Sequence, residues 1–170
     1  MAAAVTLLIV SVVYFININK EIDTNQLFDE NFEPYLPLGV PRSDSDFTTE
    51  EEKAFNLYNN GNYEAAISLF EDVLTQQDKT EILFFLGNAY LASKPPKPKQ
   101  AISALQKFLE EDRLLNSQAN LYLSQAKWYL SLAYLKNNQL DEAKRLLYEL
   151  KQSESSYSKK ANNLLIELDL

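Results

Sequence analysis

The sequence predicts an all-α protein: a helical-hairpin solenoid of about three repeats, closed by a C-terminal capping helix and preceded by an N-terminal transmembrane helix. Three observations carry this. From Phe47 onward, apolar residues recur at three- and four-residue spacing, the mark of one helix face. Ala66, Ala101 and Ala143 stand at equivalent places in successive hairpins, 35 and 42 residues apart. Residues 2–18 contain no charge, no Pro and no Gly. These divide the 170 residues into an anchor (1–18), a tether carrying prolines and aromatics (19–47) and a helical domain (48–170).

The anchor reads AAAVTLLIVSVVYFINI from Ala2 to Ile18. As a helix it spans roughly 26 Å, at the short end of what crosses a bilayer. Tyr14 and Phe15 fall where an interfacial aromatic belt is expected, and Lys20 follows to snorkel towards headgroups. A cleaved signal peptide would need a basic start and a small-residue cleavage site, and neither is present. A buried core helix would be apolar on one stripe rather than all round. Residues 20–46 hold two basic and seven acidic residues, a flank suited to the outer side of a membrane.

The tether contains Pro34, Pro37, Pro41 and Gly39, so regular helix is not expected after Glu33. A plain spacer would be polar. This one carries Phe28, Phe32, Tyr35, Leu36, Leu38, Val40 and Phe47, which predicts that part of it packs on the folded domain. Tethered groups meet a nearby surface at high effective concentration, so packing within the same chain is preferred.

The helical domain opens with Thr48-x-x-Glu51 and Thr49-x-x-Glu52, both capping-box patterns. Its first helix runs through Ala54, Phe55, Leu57 and Tyr58 and stops at Asn59-Asn60-Gly61. The second carries Tyr63, Ala66, Ile67, Phe70, Val73 and Leu74. A second hairpin follows in Leu83 to Tyr90, a turn at Ser93 to Pro98, and Ala101, Ile102, Leu105, Phe108 and Leu109. A third uses Leu130, Ser131 and Tyr134, then Asn137-Asn138, then Leu140 to Ala143 and Leu147. The extra length at Glu110 to Asn120 is expected in the connection or at the front of the fifth helix. Ala161, Leu164, Leu165 and Leu168 share one face of a last helix, which reads as the cap of an open solenoid end.

The strings Gly61 to Leu74 and Leu83 to Tyr90 resemble the tetratricopeptide repeat (TPR) over about residues 48–170. On that resemblance the small eighth position is Ala54, Gly87 and Ser131, and the alanine at the twentieth is Ala66, Ala101 and Ala143. Leu57 stands where the family has an aromatic, Val73 where it has alanine, and Asp78 where it has its closing proline. The arrangement also resembles small membrane-anchored TPR proteins of Bacteroidota. That likeness lies in Leu27-Phe28, Phe32-Glu33-Pro34-Tyr35, Pro41-Arg42 and the run Ala126 to Leu135. It implies a helical domain on the periplasmic or external side.

In that family the first helix of each hairpin lines a concave groove. Carried over, the resemblance offers Thr48, Glu51, Phe55, Tyr58 and Asn59; then Glu81, Phe84, Asn88, Leu91 and Ala92; then Gln125, Trp128, Leu132, Leu135 and Lys136. The candidate protein-binding residues are Glu51, Phe55, Tyr58, Asn59, Phe84, Asn88, Leu91, Trp128 and Lys136. The family's carboxylate clamp is not reproduced, because Glu51 and Phe55 stand where Lys and Asn are needed. The implied partner is therefore a protein or peptide segment of apolar or basic character. Trp128 lies in a stretch apolar nearly all round, so core packing is preferred over ligand contact for its ring. Tyr58 and Phe84 are the better groove candidates, and the tether's own aromatics are a possible occupant.

Composition narrows function further. There is no Cys and no His, which removes thiolate chemistry, the commonest general base and the commonest transition-metal ligand. Three glycines cannot supply a phosphate-cradling loop. No catalytic, cofactor or metal residue is therefore expected, and the chain is not read as an enzyme. Glu21 to Glu81 carries a net charge of -12, and the rest of the domain +3 with no basic run, which leaves no nucleic-acid footprint. Ser124-x-x-Lys127 and Ser156-x-x-Lys159 match acyl-enzyme spacing without the companion strings, and read as surface residues. The carboxylate pairs Glu51-Glu52, Glu71-Asp72 and Glu110-Glu111 diverge on a helix.

Two function classes follow. One is a membrane-anchored protein–protein interaction module, a scaffold or assembly factor that takes a partner segment in its groove. The other is the sensor or regulatory domain of a membrane protein whose cytoplasmic portion lies outside this chain. A hydrolase acting on an envelope polymer is a distant third.

Overall fold

The computed structural model describes residues 22–36, 48–77, 79–115 and 122–169, with the side chains of 112–115 outside that description. The predicted anchor at 2–18, the tether residues 37–47 and Asp78 also lie outside the described residues. The described residues form eight α-helices and no strand. They are α1 (Thr24–Asn31), α2 (Thr49–Asn59), α3 (Tyr63–Gln76), α4 (Thr80–Ala92), α5 (Pro98–Leu115), α6 (Leu123–Lys136), α7 (Leu140–Lys151) and α8 (Ser158–Leu168). None is long and apolar enough to cross a membrane.

From α2 to α8 each helix packs on the next in the chain. Short connections make such neighbours antiparallel. In addition α4 touches α6, and α1 lies against α6. The small residues are where the helices come closest. Ala54, Ala66, Ala101 and Ala143 are fully buried, as is Ser131. At Gly87 an added Cβ would stand 2.5 Å from Cγ of Leu105, so α4 and α5 meet at a distance only glycine permits.

Helix ends follow local chemistry. Thr48 caps α2 with both halves of the capping box formed: its Oγ1 accepts from the Glu51 N–H, and the Glu51 carboxylate accepts from the Thr48 N–H at 2.7 Å. Two turns repeat one geometry. After α2, Gly61 (φ 74°) and Asn62 donate to the carbonyls of Tyr58 and Leu57. After α6, Asn138 (φ 57°) and Gln139 donate to those of Leu135 and Tyr134. Both are Schellman ends, and glycine and asparagine are the residues that tolerate the left-handed position. The α4–α5 turn is longer and includes a cis Lys94–Pro95 bond.

Two features depart from expectation. The residues after Glu110 continue α5 to Leu115 instead of extending the front of α6, so part of the extra length between hairpins belongs to the preceding helix. And the tether contains a helix, α1, that no apolar period announces.

Candidate peptide-binding groove

The face shared by α2, α4 and α6 is covered by residues 24–36 of the same chain. The covering begins with α1, whose start is fixed by Asp23: its Oδ1 accepts from the N–H groups of Asn25 and Gln26, each at 3.0 Å. One side of α1 is then tied to α6. Thr24 Oγ1 donates to Asn138 Oδ1 at 2.6 Å, in the turn after α6. Phe28 is 2% exposed, and Lys136 Nζ lies 4.8 Å above its ring while pairing with Asp29 at 3.1 Å.

At Phe32 the chain leaves the helix for extended geometry (φ −89°, ψ 121°), one residue before Glu33, which Pro34 biases to the same region. The Phe32 ring stacks on Phe28 at 4.9 Å and meets Tyr129 edge-on at 6.1 Å. Two residues apart on this extended stretch, two carbonyls are captured. Tyr129 donates its hydroxyl to the Glu33 carbonyl at 2.9 Å, and Tyr58 donates to the Tyr35 carbonyl at 2.7 Å. Carbonyls at i and i+2 of an extended chain point the same way, so two donors on one wall reach both. Between them stands Pro34, which fixes its own φ and biases Glu33 to extended geometry.

The Tyr35 ring enters a box of four rings. Phe84 lies 5.1 Å away, Tyr122 5.8 Å, Phe85 6.1 Å and Tyr129 6.3 Å, each meeting it edge to face. Phe84 forms the floor, fully buried and stacked on Tyr122 at 4.8 Å. Burial raises the phenol pKa of Tyr58, Tyr122 and Tyr129, with neighbouring tyrosines adding to the effect. The two carbonyl-binding hydroxyls are therefore held in the protonated, donating form at neutral pH.

The nine residues expected on the groove fall into three groups. Tyr58, Phe84 and Lys136 touch the covering segment directly. Phe55 and Leu91 are buried in the wall, with Phe55 edge-on to Phe85 at 4.8 Å and Phe70 at 5.2 Å. Asn88 is fully buried one turn beyond Phe84. Its Nδ2 donates to the Phe84 carbonyl at 3.1 Å, while its Oδ1 has no partner among the described residues. Elsewhere, Glu51 is fully buried in the capping box, and both its carboxylate oxygens lie within 2.8 Å of Lys79 Nζ at the start of α4. Asn59 is exposed at the end of α2. Trp128 is buried with its ring 5.8 Å from Tyr157 and 5.9 Å from Lys160 Nζ, at the start of α8.

Three groove residues were not singled out from sequence: Phe85, Tyr122 and Tyr129. Phe85 and Tyr129 lie in helices that are buried over consecutive residues, Ile82–Leu91 and Trp128–Leu135, so periodicity does not say which side faces the groove. Tyr122 precedes its helix and carries no pattern.

A different stripe of α6, bearing Leu123, Lys127, Leu130 and Tyr134, lines a depression of about 740 Å³ between α5 and α7. Among the described residues no cluster of acidic side chains is arranged to hold a metal ion. No family model matches the chain, nor does any curated protein or solved structure.

Proposed function

We propose that the protein is a membrane-anchored protein–protein interaction module, a scaffold or assembly factor, whose TPR-like hairpins present the α2–α4–α6 groove to an extended segment of a partner. The carrying observation is the pair of tyrosine hydroxyls on Glu33 and Tyr35 carbonyls, with the Tyr35 ring boxed by four aromatics. Such a site holds a peptide by its main chain and selects it by an aromatic side chain, which is how extended segments are recognised.

The repeat reading is supported by the buried alanines at 66, 101 and 143, the small residues at 54, 87 and 131, and the matching turns at Gly61 and Asn138. Residues 2–18 serve as the anchor, with the helical domain on the periplasmic or external side, on the strength of their length and the acidic flank.

The test exploits the absence of cysteine. Leu36→Cys and Asn59→Cys place two thiols on exposed positions linked through the Tyr58–Tyr35 hydrogen bond, and a bis-maleimide ties the segment over the groove. Crosslinked partners are then identified from native membranes with the chain open or tied. Partners captured by the open chain and lost on tying would make the groove the working site, and their identities name the process. Partners retained by the tied chain would move the function to another surface.

A further inference from the structure

We infer that Phe32–Tyr35 is an internal copy of the groove's ligand: the site takes an extended segment of pattern aromatic–x–Pro–aromatic from another protein, in exchange for its own. This rests on the groove being a docking site and adds what it reads.

Each place in the pattern answers to a feature of the wall. The second aromatic is set by the box of Phe84, Phe85, Tyr122 and Tyr129, each of which meets Tyr35 edge to face. The first is set by Tyr129, edge-on to Phe32. Proline is set by the conformation the two donors need. It fixes its own φ and biases the residue before it to extended geometry, which presents the carbonyls two residues apart to Tyr129 and Tyr58. The hydroxyl contacts are to main chain alone, so they are reproduced by any segment that is extended over these residues.

The internal copy is built to be exchanged. Phe28 and Thr24 are buried and anchor α1, whereas Phe32, Pro34 and Tyr35 are only half-buried and Leu36 is 63% exposed. Among the described residues the stretch makes no helical hydrogen bond beyond that of the Phe32 N–H and shares no ladder with the body. A segment whose side chains stay partly exposed, and whose main chain is held by two side-chain hydrogen bonds rather than by a ladder, opens without global unfolding. Its tether makes it a strong competitor, at millimolar effective concentration for short linkers, so a free peptide binds the intact chain weakly and a chain lacking the internal anchors tightly.

The experiment uses a labelled peptide of residues 29–36 and the purified full chain in detergent. On the Phe32→Ala, Tyr35→Ala variant, with Phe28 kept, the dissociation constant should fall about ten-fold or more below the wild-type value. Replacing the peptide's residue matching Tyr35 by alanine should abolish binding, and replacing that matching Pro34 should weaken it. A variant that still melts cooperatively yet binds no peptide, or binds the alanine peptide equally well, overturns the inference.

Should that variant not fold, a site-specific protease sequence inserted within 37–47 of the wild-type chain replaces it. After cleavage, excess peptide should speed release of the N-terminal fragment, and a fragment that never exchanges overturns the inference. If peptide exchange fails while tying the segment still abolishes partner capture, the groove stands as the docking site and only the pattern falls. If tying changes nothing, the docking reading itself falls.

Discussion

The helices α4 and α6 differ from α7 and α8 in a way that locates the groove. In α4 every residue from Ile82 to Leu91 is buried, and in α6 every residue from Trp128 to Leu135. In α7 only Ala143, Leu146, Leu147 and Leu150 are buried, and in α8 only Ala161, Leu164, Leu165 and Leu168. The outer pair carries one apolar stripe and turns its other side to water, leaving Tyr148 45% and Ile166 54% exposed. The inner pair is flanked by helices, and α6 is covered as well by α1. A helix apolar all round therefore signals a covered surface, and here the cover is the chain's own N-terminal segment.

The largest test of this contrast is Phe84→Ala. Phe84 is fully buried as the floor of the box, with Phe108 behind it, so its loss should cost about 3–5 kcal/mol, read as a shift in the denaturant midpoint. A cost near that of an exposed residue would mean the cover does not seal the groove. Next comes Gly87→Ala. Its Cβ would press on Leu105, itself fully buried and unable to swing aside, and should cost about 1–3 kcal/mol by thermal melting. A neutral result would mean that α4 and α5 separate freely.

High pH supplies a third test, aimed at the groove tyrosines. Burial raises Tyr58, Tyr122 and Tyr129 above the ordinary value of 10.0. The unfolded chain thus releases these protons first. Their contribution is complete below about pH 10 and is lost as pH rises above it through the folded values. The denaturant midpoint should hold through pH 9 and then fall, with tyrosinate absorbance rising at lower pH in the unfolded chain than in the folded one. Coincident titrations would contradict buried phenols. The smallest effect is expected at Ile166→Ala on the outer face of α8, within about 0.5 kcal/mol by the same melting measurement. A cost of several kcal/mol would mean that this face too is covered.

Much of the frame was legible because it rests on local chemistry. Thr48 and Glu51 announced a capped start, Asn59-Asn60-Gly61 a left-handed stop, and the recurring alanines the close contacts between helices. The tether's aromatics announced burial on the domain, and Phe28, Phe32 and Tyr35 are packed there. The helix α1 was not legible. Eight residues are too few to be stable alone, and it is held by Phe28, by Lys136 and by a side-chain bond to Asn138, 114 residues away. Glu51 was legible as a cap but not as the buried partner of Lys79, since nothing local joins positions 28 apart.

By itself, then, the sequence determined that the chain from Thr48 onward is a series of helices, where the first of them begins and ends, and that the chain lacks the side chains of thiolate and histidine chemistry. Those properties depend on periodicity, capping and composition, which act over a few residues. Only the tertiary structure decided that Tyr58 and Tyr129, from different hairpins, converge on alternate carbonyls of one extended segment. It likewise decided that Tyr35 fills the box they flank. That convergence depends on how the hairpins stack, and a pattern of apolar residues fixes that a face is buried without fixing what it meets.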